Sequence, residues 1–116
     1  MSAELPFLIS LDAEKYIRDG LRPQTGREAA LVQTFNLESR DKRGRVIMRF
    51  PGEFFTVGYY DPGPRPDAQQ IKIFGVSVSI VPQTLERLRG RTLTLKKQVY
   101  RYGWLRWHTM HFLVAA

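Results

Sequence analysis

Val76-Ser77-Val78-Ser79-Ile80-Val81-Pro82-Gln83-Thr84-Leu85-Glu86-Arg87-Leu88-Arg89-Gly90 holds three structural instructions in succession. Val76, Val78 and Ile80 alternate with Ser77 and Ser79, the pattern of a strand in a sheet with one wet face. Pro82 is suited to the first position of a helix, where its missing N–H costs nothing. Leu85 and Leu88 lie three apart and face inward, and Gly90 stops the helix. Upstream, Gln70 to Phe74 is strand-like, and Gly75 marks a bulge or a tight join. Downstream, Thr92 to Arg101 and Trp104 to Val114 form the strongest strand pair, with Tyr102-Gly103 as the turn. Leu93, Leu95 and Val99 share one face of that hairpin. Trp104, Met110, Phe112 and Val114 share another.

The amino-terminal half is less sharply marked. Leu5 to Ser10 reads as a short strand or extended arm. Ser10 or Asp12 then caps a helix over Ala13 to Asp19, with Ala13, Tyr16 and Ile17 on one side. Gly20 is expected at its left-handed end. Arg22 to Gly26 is a loop by composition. Glu28 to Val32 suits either a helical continuation or, with Leu31 to Leu37, a strand. Ser39 to Gly44 is polar and charged and turns the chain. Val46, Met48 and Phe50 alternate, Pro51-Gly52 reads as a turn, and Phe54 to Tyr60 favours strand. Arg45 to Tyr60 is therefore expected to be a β-hairpin. Asp61 to Asp67 carries three prolines in five residues and forms a surface loop. Runs of successive strands argue against a doubly wound parallel sheet. The expected fold is mainly β (α+β): a small antiparallel or mixed sheet with one or two short helices, in a single domain over 1–116.

The 116 residues hold 18 Lys and Arg against 11 Asp and Glu, a net charge of +7, and no cysteine. That composition excludes disulfides, thiolate metal sites and a cysteine nucleophile. No stretch approaches the roughly 20 apolar residues needed to span a bilayer. Leu5 to Leu11 has no basic flank, contains Pro6 and is too short for a signal peptide. A cytoplasmic protein without membrane contact is expected. The basic excess favours polyanions or acidic partners.

Catalytic motifs are weak. His108 and His111 lie three apart, so a strand sends them to opposite faces, and two imidazoles make a poor zinc site. Ser77 and Ser79 have no base motif near them. Glu53 is placed to pair with Arg49 or Lys97, and Asp61 and Asp67 line a loop. Gly44, Gly52, Gly58, Gly63 and Gly75 make no phosphate-binding motif. The expectation is a non-enzymatic protein with no cofactor and no metal.

The sharpest charge feature runs from Arg87 to Arg106 with no acid inside it. The expected binding surface is Arg91, Lys96, Lys97, Tyr100, Arg101, Tyr102, Trp104, Arg106 and Trp107. Cations can neutralise phosphates and exposed rings can stack on bases. The same residue types also make protein interfaces. Strand alternation can instead bury the rings and leave an ordinary basic sheet face. A protein partner or homodimer is the leading expectation, and nucleic acid the alternative.

Gly75 to Leu93, a hydrophobic strand leading into a short helix that ends Leu88-Arg89-Gly90 before another strand, resembles the second half of HesB-like iron–sulfur cluster assembly domains. Ile9-Ser10-Leu11-Asp12-Ala13-Glu14-Lys15-Tyr16-Ile17 is similar to that family's opening strand and helix. The resemblance implies a compact β-rich scaffold and a dimer. That family's cluster is held by a mid-chain cysteine and a terminal Cys-Gly-Cys, and this chain has neither. The terminal region reads Arg101-Tyr102-Gly103-Trp104-Leu105-Arg106-Trp107 instead, so no functional residue transfers. What the resemblance implies is a scaffold that has lost cluster binding.

Overall fold

A computed structural model describes residues 5–22, 26–61, 66–102 and 106–116, the side chains of Tyr102 and Arg106 excepted. These residues form a β-rich α+β fold in the order β1 (Leu8–Ile9), α1 (Leu11–Gly20), β2 (Glu28–Arg40), β3 (Val46–Tyr60), β4 (Gln69–Ile73), β5 (Val76–Ile80), α2 (Pro82–Leu88), β6 (Thr92–Tyr102) and β7 (Arg106–Ala115). One mixed sheet has the strand order β1-β6-β7-β3-β2-β5-β4. β1 pairs parallel with β6, and β2 parallel with β5. The remaining neighbours are antiparallel. Two long hairpins, β2–β3 and β6–β7, lie side by side and are joined where Phe55 registers with Leu113. They draw the molecule out to 54 × 29 × 24 Å.

Both helices pack on one face. Ala13 and Ile17 of α1 and Leu85 and Leu88 of α2 meet Leu31, Phe55, Val78, Ile80, Leu93 and Leu113 in the main core. On the opposite face Phe50, Phe54, Tyr100 and Phe112 bury one another. Phe112 lies 4.8 Å, centroid to centroid, from both Phe50 and Phe54. Adjacent residues such as Phe54 and Phe55 thus feed different cores, because successive strand side chains alternate.

Local signals worked where they were self-contained. Pro82 opens α2 with Val81 as its cap, and Leu85 and Leu88 are buried. Gly90 follows with φ +73°. Gly75 is a tight join: Ile73 pairs with Val76, and Phe74 and Gly75 form a two-residue turn with φ of +48° and +81°. Both positive values match the type I′ hairpin turn. Phe74 is an unusual residue at such a φ. Its ring is held under the Arg18 guanidinium, 4.2 Å from the centroid, which ties the turn to α1.

Several expectations are corrected. The helical option for Glu28 to Val32 is replaced by the start of β2. Arg45 to Tyr60 is no hairpin: Val46–Tyr60 is one strand, paired along β2. Pro51-Gly52 forms a bulge within it. Phe35 pairs with Glu53 and Leu37 with Phe50, so two residues of β3 oppose Asn36 alone. Asn36 has φ +55°, Gly52 has φ +112°, and the Gly52 N–H donates to Asn36 Oδ1 at 3.1 Å. A bulge tolerates the absence of an N–H at Pro51.

Gly20 is not a left-handed cap but the last residue of α1, and its reason is space. A Cβ there would sit 2.7 Å from the Val57 carbonyl oxygen of β3. Ser79 is buried rather than on a wet face: β5 is an inner strand between β2 and β4, and Ser79 registers with Ala30, itself fully buried. Ser77 is exposed and donates to Gln70 Oε1 at 2.8 Å. Val99 does share a face with Leu93 and Leu95, but it is 48% exposed because the hairpin outruns the helix that covers it. Tyr102, expected in a turn with Gly103, is instead the last residue of β6 and pairs with Arg106. Gly103 and most of the proline loop lie outside the described residues.

Candidate interaction surfaces on the paired hairpins

Strand register sorts the expected binding residues onto two faces. Lys97 pairs with His111, Val99 with Thr109 and Arg101 with Trp107. These pairs follow Leu93–Ala115 and Leu95–Leu113 at intervals of two, so they share the helix-bearing face. The side chains of this face near the turn stand beyond the cover of α1. Trp107 is 69% exposed, and Lys97, Arg101, Thr109 and His111 are exposed with it. Tyr16, at the rim of α1, brings its ring to 6.5 Å from that of His111. The result is an apolar centre, Val99 and Trp107, bordered by Arg101 and Lys97.

Lys96 and Tyr100 fall on the opposite face. Tyr100 does not project into water as expected: it is 8% exposed. It packs edge-on to Phe50 at 5.7 Å and stacks on His108, its cross-strand partner, at 5.4 Å. Its hydroxyl shares a 2.9 Å hydrogen bond with Ser39, which links the two hairpins. Period two brings it there, since Tyr100 stands on the face of Phe112. Arg91 precedes β6 and is exposed away from the hairpin turn. Tyr102, Trp104 and Arg106 lie outside the described side chains. His108 and His111 do take opposite faces, one against Tyr100 and the other beside Tyr16.

A second feature went unweighed in the sequence. The β2–β3 turn, with Ile47 and His108, lines a cleft of about 580 Å³. Arg40, Lys42, Arg43 and Arg45 border it, with Asp41 the one acid among them. The signal was present as four cations in six residues. Asp41 accepts hydrogen bonds from the backbone N–H groups of Arg43 and Arg45, each at 2.9 Å, and from the Arg45 guanidinium at 3.0 Å. The Arg45 N–H is the main cause holding its carboxyl below the ordinary range.

The third feature joins α2 to the sheet. Glu53 pairs with neither Arg49 nor Lys97. It accepts from Arg87 Nε at 2.7 Å and Gln33 Nε2 at 2.5 Å. Arg49 faces Glu38 at 3.5 Å instead. Arg87's hydrogen bond is the chief reason the Glu53 carboxyl is held below its usual value, and the charges of Arg87 and Arg91 add to it. A carboxylate held this way is a poor proton acceptor and a good fastener. Glu53→Gln is expected to lower stability by about 1–2 kcal/mol at pH 7, because the Arg87 charge loses its partner. The lowered pKa sets the sign of the pH dependence. The carboxylate's contribution is complete above the ordinary Glu range and is lost as pH falls through the depressed value. Urea titrations of wild type and Glu53→Gln should therefore converge only once the pH has fallen through the depressed Glu53 value. A gap that widened on acidification would contradict this.

Among the described residues, no group of three or more His, Asp or Glu side chains converges as a metal-ligand set. No family model, no curated protein and no solved structure matches this chain.

Proposed function

We infer that this chain is a non-enzymatic, cytoplasmic interaction module that engages an acidic protein partner through the helix-bearing face of the β6–β7 hairpin. The observation that carries the reading is Trp107, 69% exposed and registered directly across from Arg101. A large exposed apolar surface is informative, and Trp and Arg are enriched among the residues that dominate interface energetics. Val99 and Trp107 supply an apolar centre, and Lys97 and Arg101 supply a charged rim of one sign. That sign argues for an acidic partner. A two-fold contact between copies of this face would bring like charges together, so a homodimer through it is disfavoured. Continuous stacking of a nucleic-acid strand needs several exposed rings. Burial of Tyr100 removes one of those expected. Kinship with HesB-like scaffolds belongs to the same reading. It rests on the strand–helix–glycine–strand run and on the order of elements, and it implies a scaffold reused for contact after loss of its cluster ligands.

The test is a photo-crosslinking residue placed at Val99 in cells, with one at Lys72 as control. The expected result is an acidic protein segment crosslinked at 99 and not at 72. Trp107→Ala should weaken the captured partner's affinity about tenfold or more, with the urea midpoint unchanged. Crosslinks only to nucleic acid, only to a second copy, or to nothing would overturn the reading.

A further inference from the structure

We propose that the tip of the β2–β3 hairpin, with the adjoining His108 of β7, is a separate site for the phosphodiester backbone of a single-stranded nucleic acid. Arg40-Asp41-Lys42-Arg43-Gly44-Arg45 sets four cations against one acid. What the turn does with that acid decides how the tip behaves. Asp41 is committed to two backbone N–H groups and to Arg45. Gly44, at φ +82°, donates its N–H to the Asp41 carbonyl at 3.0 Å. Arg40 donates to the Gly44 carbonyl at 2.7 Å and also pairs with Glu38 at 2.6 Å. The turn is thereby braced from inside by its own carboxylate and one arginine. Lys42 and Arg43, both exposed, have no acid in ion-pair reach among the described residues.

A braced loop that presents two unneutralised cations binds anions with little ordering cost, since the backbone is already set. The surroundings favour a chain of phosphates. The Ser39–Tyr100 hydrogen bond fastens the second hairpin alongside. His108 and Ile47 extend the cleft of about 580 Å³ beyond the turn, so it offers contact past the four cations rather than closing around one group. Among the described residues, no exposed tryptophan or tyrosine lines that cleft. Binding should therefore be electrostatic, insensitive to base sequence and strongly salt-dependent. Net charge +7 adds long-range attraction for such a polyanion.

The site is independent of the Trp107 face, and one pair of variants separates the two. Fluorescence anisotropy with a labelled mixed-sequence RNA 16-mer is followed from low to moderate salt. Wild type should bind, with log K falling linearly against log salt. Lys42→Gln/Arg43→Gln should reduce affinity about tenfold at low salt and lessen the slope by about 1.4, two single-strand phosphate contacts. Trp107→Ala should leave both quantities unchanged. The urea midpoint of the double variant should match wild type, since the Asp41 bracing is untouched. Absence of binding at low salt would overturn the proposal, as would a double variant that binds like wild type. Tripolyphosphate competing as well as the oligonucleotide at equal phosphate concentration would assign the cleft to small phosphate compounds instead. Loss of binding on Trp107→Ala would move the nucleic acid to the other face.

Discussion

Phe55→Ala is expected to lower the unfolding free energy by about 3–5 kcal/mol, the range for truncating a buried phenylalanine. Phe55 is 1% exposed and is the largest fully buried side chain among the described residues. Its strand position matters as much as its size. It registers with Leu113, also fully buried, where β3 meets β7, and that contact unites the two hairpins. Leu31, Leu93 and the inner residues of both helices complete the same core. A cavity here cannot be filled easily by a neighbouring side chain, because the strands on both sides are tied by their own ladders. The total stability of a domain this size is about 5–15 kcal/mol, so a large share disappears. Urea unfolding checks it: the midpoint should fall sharply with an unchanged slope. Phe54→Ala, in the smaller opposite core, serves as the comparison. A loss below about 1 kcal/mol for Phe55→Ala would mean the two hairpins do not depend on this contact.

Gly20→Ala should destabilise by about 2–3 kcal/mol, although the same change in an unobstructed helix is stabilising by roughly 0.5–1 kcal/mol. The sign of the effect is therefore diagnostic. The added Cβ would lie 2.7 Å from the Val57 carbonyl oxygen. That neighbour is backbone in a long strand, paired there with Leu31 of β2, and cannot rotate away. Gly58 lies opposite, where a Cβ would meet the Gly20 carbonyl at 3.8 Å. Tyr59 then donates its hydroxyl to the Leu21 carbonyl at 3.2 Å. The end of α1 thus rests almost directly on the β3 backbone, and relief requires lifting the helix from the core that holds Ala13 and Ile17. Thermal or urea unfolding of the alanine variant reads the sign. A stabilised protein would show that helix and strand are not in close approach.

These two positions show where sequence reading succeeds and where it stops. Glycine after a helix is ordinarily a left-handed cap, and nothing near Gly20 in the chain distinguishes a cap from a close approach. Val57 is 37 positions away. The Pro51-Gly52 pair is equally ambiguous. Its local chemistry is that of a turn, and only Asn36 on the neighbouring strand, taking φ +55° and accepting from the Gly52 N–H, converts it to a bulge inside one strand. Glu53 found Arg87 rather than Arg49 because α2 crosses β2 at that point, 34 positions along the chain.

The binding residues divide in the same way. The separation of His108 from His111 was legible from alternation. That Trp107 shares a face with Lys97 and Arg101 was not, because a turn over Tyr102-Gly103 pairs Arg101 with Trp104, whereas the register pairs Arg101 with Trp107. Which of the two faces meets water was not legible, because both carry apolar residues over part of their length. Phe50 and Phe112 decided the burial of Tyr100, and the length of α1 decided the exposure of Val99 and Trp107. The chain by itself determined its elements where each carries its own stop and start: Pro82 and Gly90 around α2, Gly75 between β4 and β5, and alternation along β6 and β7. Tertiary structure decided which strands continue, which face is covered and which carboxylate each arginine meets. Those outcomes are set by contacts between residues far apart in sequence, whose energies no local window contains.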